Sequence, residues 1–197
     1  MTRIVLASTS ATRAAILTAA GVPFETSPSG VDEETIKSEL QSRGTDVRDI
    51  AVALADAKAL AINPQAAAVV IGADQTLEFD GRLFDKTAGL AEARARLRLL
   101  RGQVFRLHTA LAGARDGRIV WRRLETAQLL MRPFSDEFLD AYLSRNAPAL
   151  ASSLASFELE GEGAQLFEAI EGDYFAILGL PLLPLLAWLR SCGALAR

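Results

Sequence analysis

Residues 4–17 read IVLASTSATRAAIL. The apolar run Ile4-Val5-Leu6-Ala7 stops at Ser8-Thr9-Ser10. Thr12 and Arg13 follow, then Ala14-Ala15-Ile16-Leu17. A short apolar run bounded by turn residues reads as a buried strand, and the second run reads as a helix. A strand handed directly to a helix is the unit from which α/β folds are built. This handover also carries three hydroxyls and an arginine. The first N–H groups of a helix lack intrahelical partners, and the helix dipole adds positive potential there. Ser8, Ser10 and Arg13 would then complete an anion cradle. The alternative is a plain helix start, with Ser10 or Thr9 as N-cap and Arg13 in solvent.

Outward from this stretch, strand and helix signals interleave. Arg3–Ala7 reads as a strand and Thr12–Ala20 as a helix closed by Gly21 and Pro23. Phe24–Ser27 reads as a short strand, and 31–42 and 46–62 as helices. A buried strand at Ala68–Ala73 is followed by Gln75–Phe79 and a hairpin turn at Asp80-Gly81. Leu90–Leu100 is an amphipathic helix. Val104–Ala112 and Arg118–Met131 are strands joined around Asp116-Gly117. Asp136–Ser144 is a helix, 157–159 extended, Gln165–Ile170 helical and Tyr174–Leu178 a strand. Leu185–Leu189 sits in a last helix. The expected class is α/β with a mixed sheet.

Half of the 197 residues are apolar, 23% are charged and the net charge is −3. That disfavours disorder and a non-specific nucleic-acid surface. The single cysteine, Cys192, excludes an internal disulfide and a cysteine-based zinc site. Pro181 and Pro184 interrupt the most apolar stretch, 176–189, and a membrane span needs roughly 20 apolar residues. The expectation is a soluble, cytoplasmic protein without a membrane or nucleic-acid partner.

Asp74, in VVIGADQTL, stands at the carboxyl end of the expected strand, where ligands of α/β folds gather. It would bind a metal or position water, or else cap a turn. Lys58 falls on the apolar stripe Leu54–Lys58–Ile62, and would either snorkel to the rim or point into a phosphate site. Lys86 follows the hairpin and alone reads as a surface lysine. Asp32-Glu33-Glu34 suits a solvated helix start or a cation site. Glu160 precedes Gly161 and Gly163, which allow close backbone approach. His108, the only histidine, reads as a satisfied structural residue, because no serine triad can be assembled around it. A Walker A loop is absent.

Together these segments resemble the Maf family of nucleoside triphosphate pyrophosphatases. The motifs run in order over nearly the whole chain: LASTSATR, VDE (31–33), AKA (57–59), GADQ (72–75), Lys86, and EGEGAQLFEAIEGDYFAILGLPL with its G-D-Y and G-L-P. Gln75 and Glu160 are similar to the YceF-like branch, associated with 7-methylguanosine triphosphate. The resemblance implies one domain over 1–197, two-lobed like inosine triphosphatase, with an elongated mixed sheet and a central cleft. It implies cleavage of the α–β anhydride of a nucleoside triphosphate, with a divalent cation (Mg²⁺, Mn²⁺ or Co²⁺) and a homodimer. Asp74, Lys58 and Lys86 would be catalytic. Ser8, Ser10, Thr12, Arg13, Gln75 and Glu160 would bind substrate, and Glu33 and Asp74 the metal. Three departures stand out. Thr12 replaces an arginine or tryptophan, Asp85-Lys86-Thr87 replaces G-K-P, and SSLASF (152–157) replaces D-K-A-G-A-Y. The rival reading is a nucleotide-sensing regulator of cell division without turnover. An aspartyl-phosphate hydrolase is disfavoured, because the chain has no D-x-D-x-T motif.

Overall fold

The computed structural model describes residues 2–63, 68–150, 154 and 156–196. Its strands are β1 (Arg3–Leu6), β2 (Glu25–Thr26), β3 (Ala68–Phe79), β4 (Arg82–Phe84), β5 (Val104–Arg115), β6 (Arg118–Met131) and β7 (Phe167–Glu171). Its helices are α1 (Ala11–Ala19), α2 (Glu33–Ser42), α3 (Val47–Ala61), α4 (Leu90–Leu100), α5 (Asp136–Leu150), α6 (Tyr174–Ile177) and α7 (Leu182–Ser191). The sheet order is β2-β1-β3-β5-β6-β7, with β4 paired to β3. β1 is parallel to β2 and β3, whereas β4 and β7 run antiparallel to their neighbours. The fold is α/β with a mixed sheet, as the interleaved pattern predicts.

The chain forms two compact units. The first holds residues 1–75, 108–126 and 173–197; the second holds 76–107 and 127–172. In the first unit, strand alternation builds a core on each face of the sheet. Ile4, Leu6, Val69 and Ile71 pack with Leu17 of α1 and Leu185, Trp188 and Leu189 of α7. Val5, Ala7 and Val70 pack with Ala51, Ala55 and Ala59 of α3. The second face is lined by small side chains, so α3 lies close against the sheet. In the second unit α4 and α5 are linked by Arg94–Asp140, Arg98–Asp136 and Arg101–Asp136 ion pairs. An aromatic cluster of Phe105, Phe157 and Phe167 fills its interior.

Local chemistry explains most boundaries. Ser10 caps α1 by accepting from the Arg13 amide, and Asp32 caps α2 by accepting from Thr35. Asp80-Gly81 and Asp116-Gly117 all have positive φ, as a two-residue hairpin turn that matches strand twist requires.

Four expectations are corrected. β3 does not end near Asp74 but continues to Phe79, because β4 pairs with its far end. Residues 174–178, expected as a strand, form α6: the Asp173 carboxylate accepts from the Ala176 amide at 2.7 Å and starts a helix. Residues 165–170, expected as a helix, divide between a 3-10 turn at Glu162–Leu166 and β7, because β6 offers an edge to pair with. Residues 157–159 form no strand. In addition α5 outlasts Ser144, reaching Leu150. Of SSLASF, residues 152, 153 and 155 lie outside the described residues.

Candidate active site

β1 stops at Leu6, opposite Ile71. The chain then turns through Ser8 into α1, while β3 runs on to Asp74. Asp74 therefore lies past the last β1 pair, on the flank of the hydroxyl-rich junction, although it is not at a strand end. Alternation along β3 decides which way each side chain faces. Val70, Gly72 and Asp74 share the α3 face, and Ile71, Ala73 and Gln75 share the other.

Gly72 sets the distance between β3 and α3. A Cβ there would sit 2.0 Å from the Ala55 carbonyl oxygen and 2.7 Å from the Ala59 amide nitrogen. Without it, α3 comes close enough for Lys58, one turn beyond Ala55, to reach across the sheet face. Lys58 does not snorkel to the rim. It is 7% exposed, and its Nζ lies 2.6 Å from Asp74 Oδ1 and 2.8 Å from Glu33 Oε1. One ammonium thus joins two carboxylates from separate elements, β3 and the first turn of α2. Asp74 is 5% exposed. Burial raises its pKa above the ordinary carboxylate value, Lys58 and Arg13 oppose the rise, and Glu33 adds to it.

Arg13 completes the group. Its Nε donates to the Gly179 carbonyl at 2.8 Å, and its Nη1 donates to the Ala73 carbonyl at 2.9 Å and to Ser8 Oγ at 3.4 Å. Burial lowers its pKa, while Asp74 and Glu33 favour the charged form; an arginine stays protonated regardless. Carbonyls orient the guanidinium without neutralising it. Ser8 also accepts from the Ser10 amide at 3.1 Å.

The structure brings Ser8, Arg13, Glu33, Lys58 and Asp74 together. Ser10 serves as the α1 cap, as the alternative reading had it. Thr12 is exposed on α1. Gln75 turns to the opposite face from Asp74, and its amide nitrogen is bonded inside the protein. Lys86 and Glu160 are exposed and belong to the second unit. His108 is buried, with Nδ1 2.9 Å from Thr126 Oγ1, as expected of a structural histidine. The sequence reading missed the two carbonyls that hold Arg13. The glycine of the late G-L-P motif signals one of them, the Gly179 carbonyl, which accepts from Arg13 at a residue with a positive φ of 98°.

A family model described as Maf-like protein matches residues 3–192. The chain belongs to the Maf family. Relatives include a nucleoside triphosphate pyrophosphatase of Caulobacter vibrioides, 53% identical over 99% of this chain and 98% of that protein. One of Maricaulis maris is 50% identical over 100% of both chains. A 7-methyl-GTP pyrophosphatase of Rhizobium meliloti is 42% identical over 98% of this Maf chain and 97% of the relative. Among the described residues, no helix is long and apolar enough to cross a membrane.

Proposed function

We propose that this Maf protein hydrolyses the α–β anhydride of a nucleoside triphosphate, releasing a nucleoside monophosphate and pyrophosphate. The observation that carries the reading is Arg13. Its guanidinium is held by two backbone carbonyls and a hydroxyl, and it makes no ion pair among the described residues. Those bonds use Nε and Nη1, so the Nη2 arm remains for an anion. A planar, pre-oriented fork suits a phosphate better than a mobile ammonium does. The activities for which the relatives are named agree with this reading.

Asp74 is the base. Lys58 ties up Oδ1, so Oδ2 takes the proton. As the oxygen of water bonds to the α-phosphorus, the bridging P–O bond to the β-phosphate breaks and pyrophosphate leaves with the bonding pair. A carboxylate whose pKa burial has raised is a stronger base than one in water, which suits the role. Lys58 holds Asp74 and Glu33 in place, and Arg13 orients the phosphates.

The four charges of this group, Arg13 and Lys58 against Glu33 and Asp74, cancel. A triphosphate needs further positive charge, which Lys86 and a divalent cation (Mg²⁺, Mn²⁺ or Co²⁺) would provide. The donor set fits such an ion. Lys58 bonds Glu33 through Oε1, so Glu33 Oε2 would hold the ion beside Asp74, as Mg²⁺ is typically held by one or two carboxylates plus substrate phosphates. Among the described residues no cluster of three or more acidic, histidine or cysteine ligands forms a complete protein cage. When bound, the ion would neutralise charge on the phosphate oxygens. The preferred base is of guanine type, with Glu160 accepting from N1–H and the exocyclic amine, and the protein acts as a homodimer in the cytoplasm.

The test is kcat/KM for GTP, 7-methyl-GTP, UTP and dTTP with each of the three metals. Pyrophosphate release with a guanine preference supports the reading. Saturable binding without release under any metal supports the sensor instead.

A further inference from the structure

Two departures from the family pattern, 69 residues apart in sequence, meet inside the second unit. Thr87, of Asp85-Lys86-Thr87, and Ser156, of SSLASF, place their hydroxyl oxygens 3.1 Å apart. Ser156 is 0% exposed and Thr87 7%. Among the described residues between Phe84 and Ala93, Thr87 alone is buried. It stands where the resembling family has proline, whose ring stiffens the chain by itself. Here a buried hydrogen bond takes that part.

The connection needs such a hold. β4 ends at Phe84 and α4 starts at Leu90, so residues 85–89 have neither ladder nor helix to fix their backbone. Lys86 lies exposed within them. Ser156 is a firm partner. Its carbonyl accepts from the Tyr142 hydroxyl of α5 at 3.4 Å, and the ring of the next residue, Phe157, packs against Phe105 and Phe167. Ser156 holds a positive φ of 60°, which is uncommon for a residue with a Cβ and persists only where the surroundings determine it. A second tie reaches the connection from its other end. Arg96 of α4 donates from Nη1 to the Leu154 carbonyl at 3.2 Å, and its guanidinium carbon lies 4.9 Å from the centre of the Phe84 ring. The Ala88 amide donates to Glu92 Oε2 at 2.8 Å. Lys86 thus stands between anchored neighbours at 84, 87 and 88.

We infer that Thr87 and Ser156 are positioning residues: their hydroxyl pair fixes the backbone that presents the Lys86 ammonium to the triphosphate. An ammonium on a flexible four-carbon stem has little aim of its own, so a fixed backbone narrows the space it samples. The inference rests on the pyrophosphatase reading for what Lys86 holds, but not for the contact itself.

Two measurements test it on Thr87→Val, which removes the hydroxyl at nearly constant shape. Ser156→Ala takes its place in both should that variant fail to fold. The first is the nitrogen-15 relaxation order parameter of the Lys86 amide without ligand. A rigid backbone gives about 0.85 and a flexible one less than about 0.6. Wild type is expected near the first value and Thr87→Val clearly lower, with Thr87→Ser, which keeps a hydroxyl, back near wild type. An unchanged order parameter in Thr87→Val overturns the inference whatever the enzyme does. The second is calorimetric binding of α,β-methylene-GTP with Mg²⁺, whose α–β bridge resists hydrolysis, to wild type, Thr87→Val, Lys86→Ala and the double variant. Thr87→Val is expected to bind about tenfold more weakly, the worth of one misaimed charge-assisted hydrogen bond, and to add nothing once Lys86 is gone. The same loss with and without Lys86 marks a merely structural role and overturns the inference, as does wild-type affinity in Thr87→Val. Wild type with a rigid Lys86 amide, loosened in Thr87→Val, that binds no analogue would overturn the pyrophosphatase reading and leave the Thr87–Ser156 contact standing.

Discussion

Replacing Gly72 with alanine should damage the site from behind. The new Cβ would lie 2.0 Å from the Ala55 carbonyl oxygen, and ordinary contact begins at about 3.4 Å. The obstacle is helix backbone, which cannot rotate aside as a side chain would, so α3 must retreat from β3 by about 1.4 Å. Lys58 rides on α3, and its 2.6 Å contact with Asp74 would stretch to about 4 Å, beyond hydrogen-bond reach. Overpacking of this kind costs about 1–3 kcal/mol. In a chain of this size each kcal/mol lowers the melting temperature by about 2–4 °C. A loss of turnover should accompany the loss of stability, because the proposed base and the lysine that holds it separate. Calorimetric melting and pyrophosphate release on the same preparation check both. A variant with wild-type melting temperature and wild-type turnover would refute the claim that close α3–β3 packing builds the site.

Asp74→Asn should lower turnover by ~10²–10⁴, the usual worth of a general base, while circular dichroism stays native; near wild-type release would remove Asp74 from the chemistry. Arg13→Lys should weaken triphosphate binding by about tenfold or more, since bonds to a charged group are worth roughly 1.5–3 kcal/mol and one ammonium cannot meet Gly179, Ala73 and a phosphate together; a silent substitution in a calorimetric titration would refute the fork. Glu160→Gln should move the ratio of GTP to UTP efficiency toward UTP, because a glutamine offers donors where guanine also donates; an unchanged ratio would separate Glu160 from the base.

The parts of the fold written in local chemistry were legible. Ile4–Leu17 announces a strand and a capped helix, and Asp80-Gly81 and Asp116-Gly117 announce tight turns whose positive φ values the structure bears out. The parts that depend on distant partners were not. Tyr174-Phe175 favours a strand by composition, but the Asp173 cap starts a helix. Phe167–Glu171 becomes a strand because β6 presents an edge. At the site, Ser8, Arg13, Lys58 and Asp74 could be picked out as chemistry-bearing. That Lys58 would be buried between Glu33 and Asp74 could not, because it depends on how closely α3 approaches Gly72, more than ten residues away in sequence. The separation of Asp74 from Gln75 was available from the two-residue period of a strand, once β3 is seen to run through both.

In the proposed reaction water attacks the α-phosphorus with Asp74 as base. Phosphorus-31 NMR of GTP turnover in ¹⁸O-enriched water tests it in one experiment. Attack at the α-phosphorus yields GMP carrying one ¹⁸O beside unlabelled pyrophosphate, and Asp74→Asn should form both at least about a hundredfold more slowly. Label in the pyrophosphate, GDP and orthophosphate as products, or intact GTP under Mg²⁺, Mn²⁺ and Co²⁺ alike would contradict it.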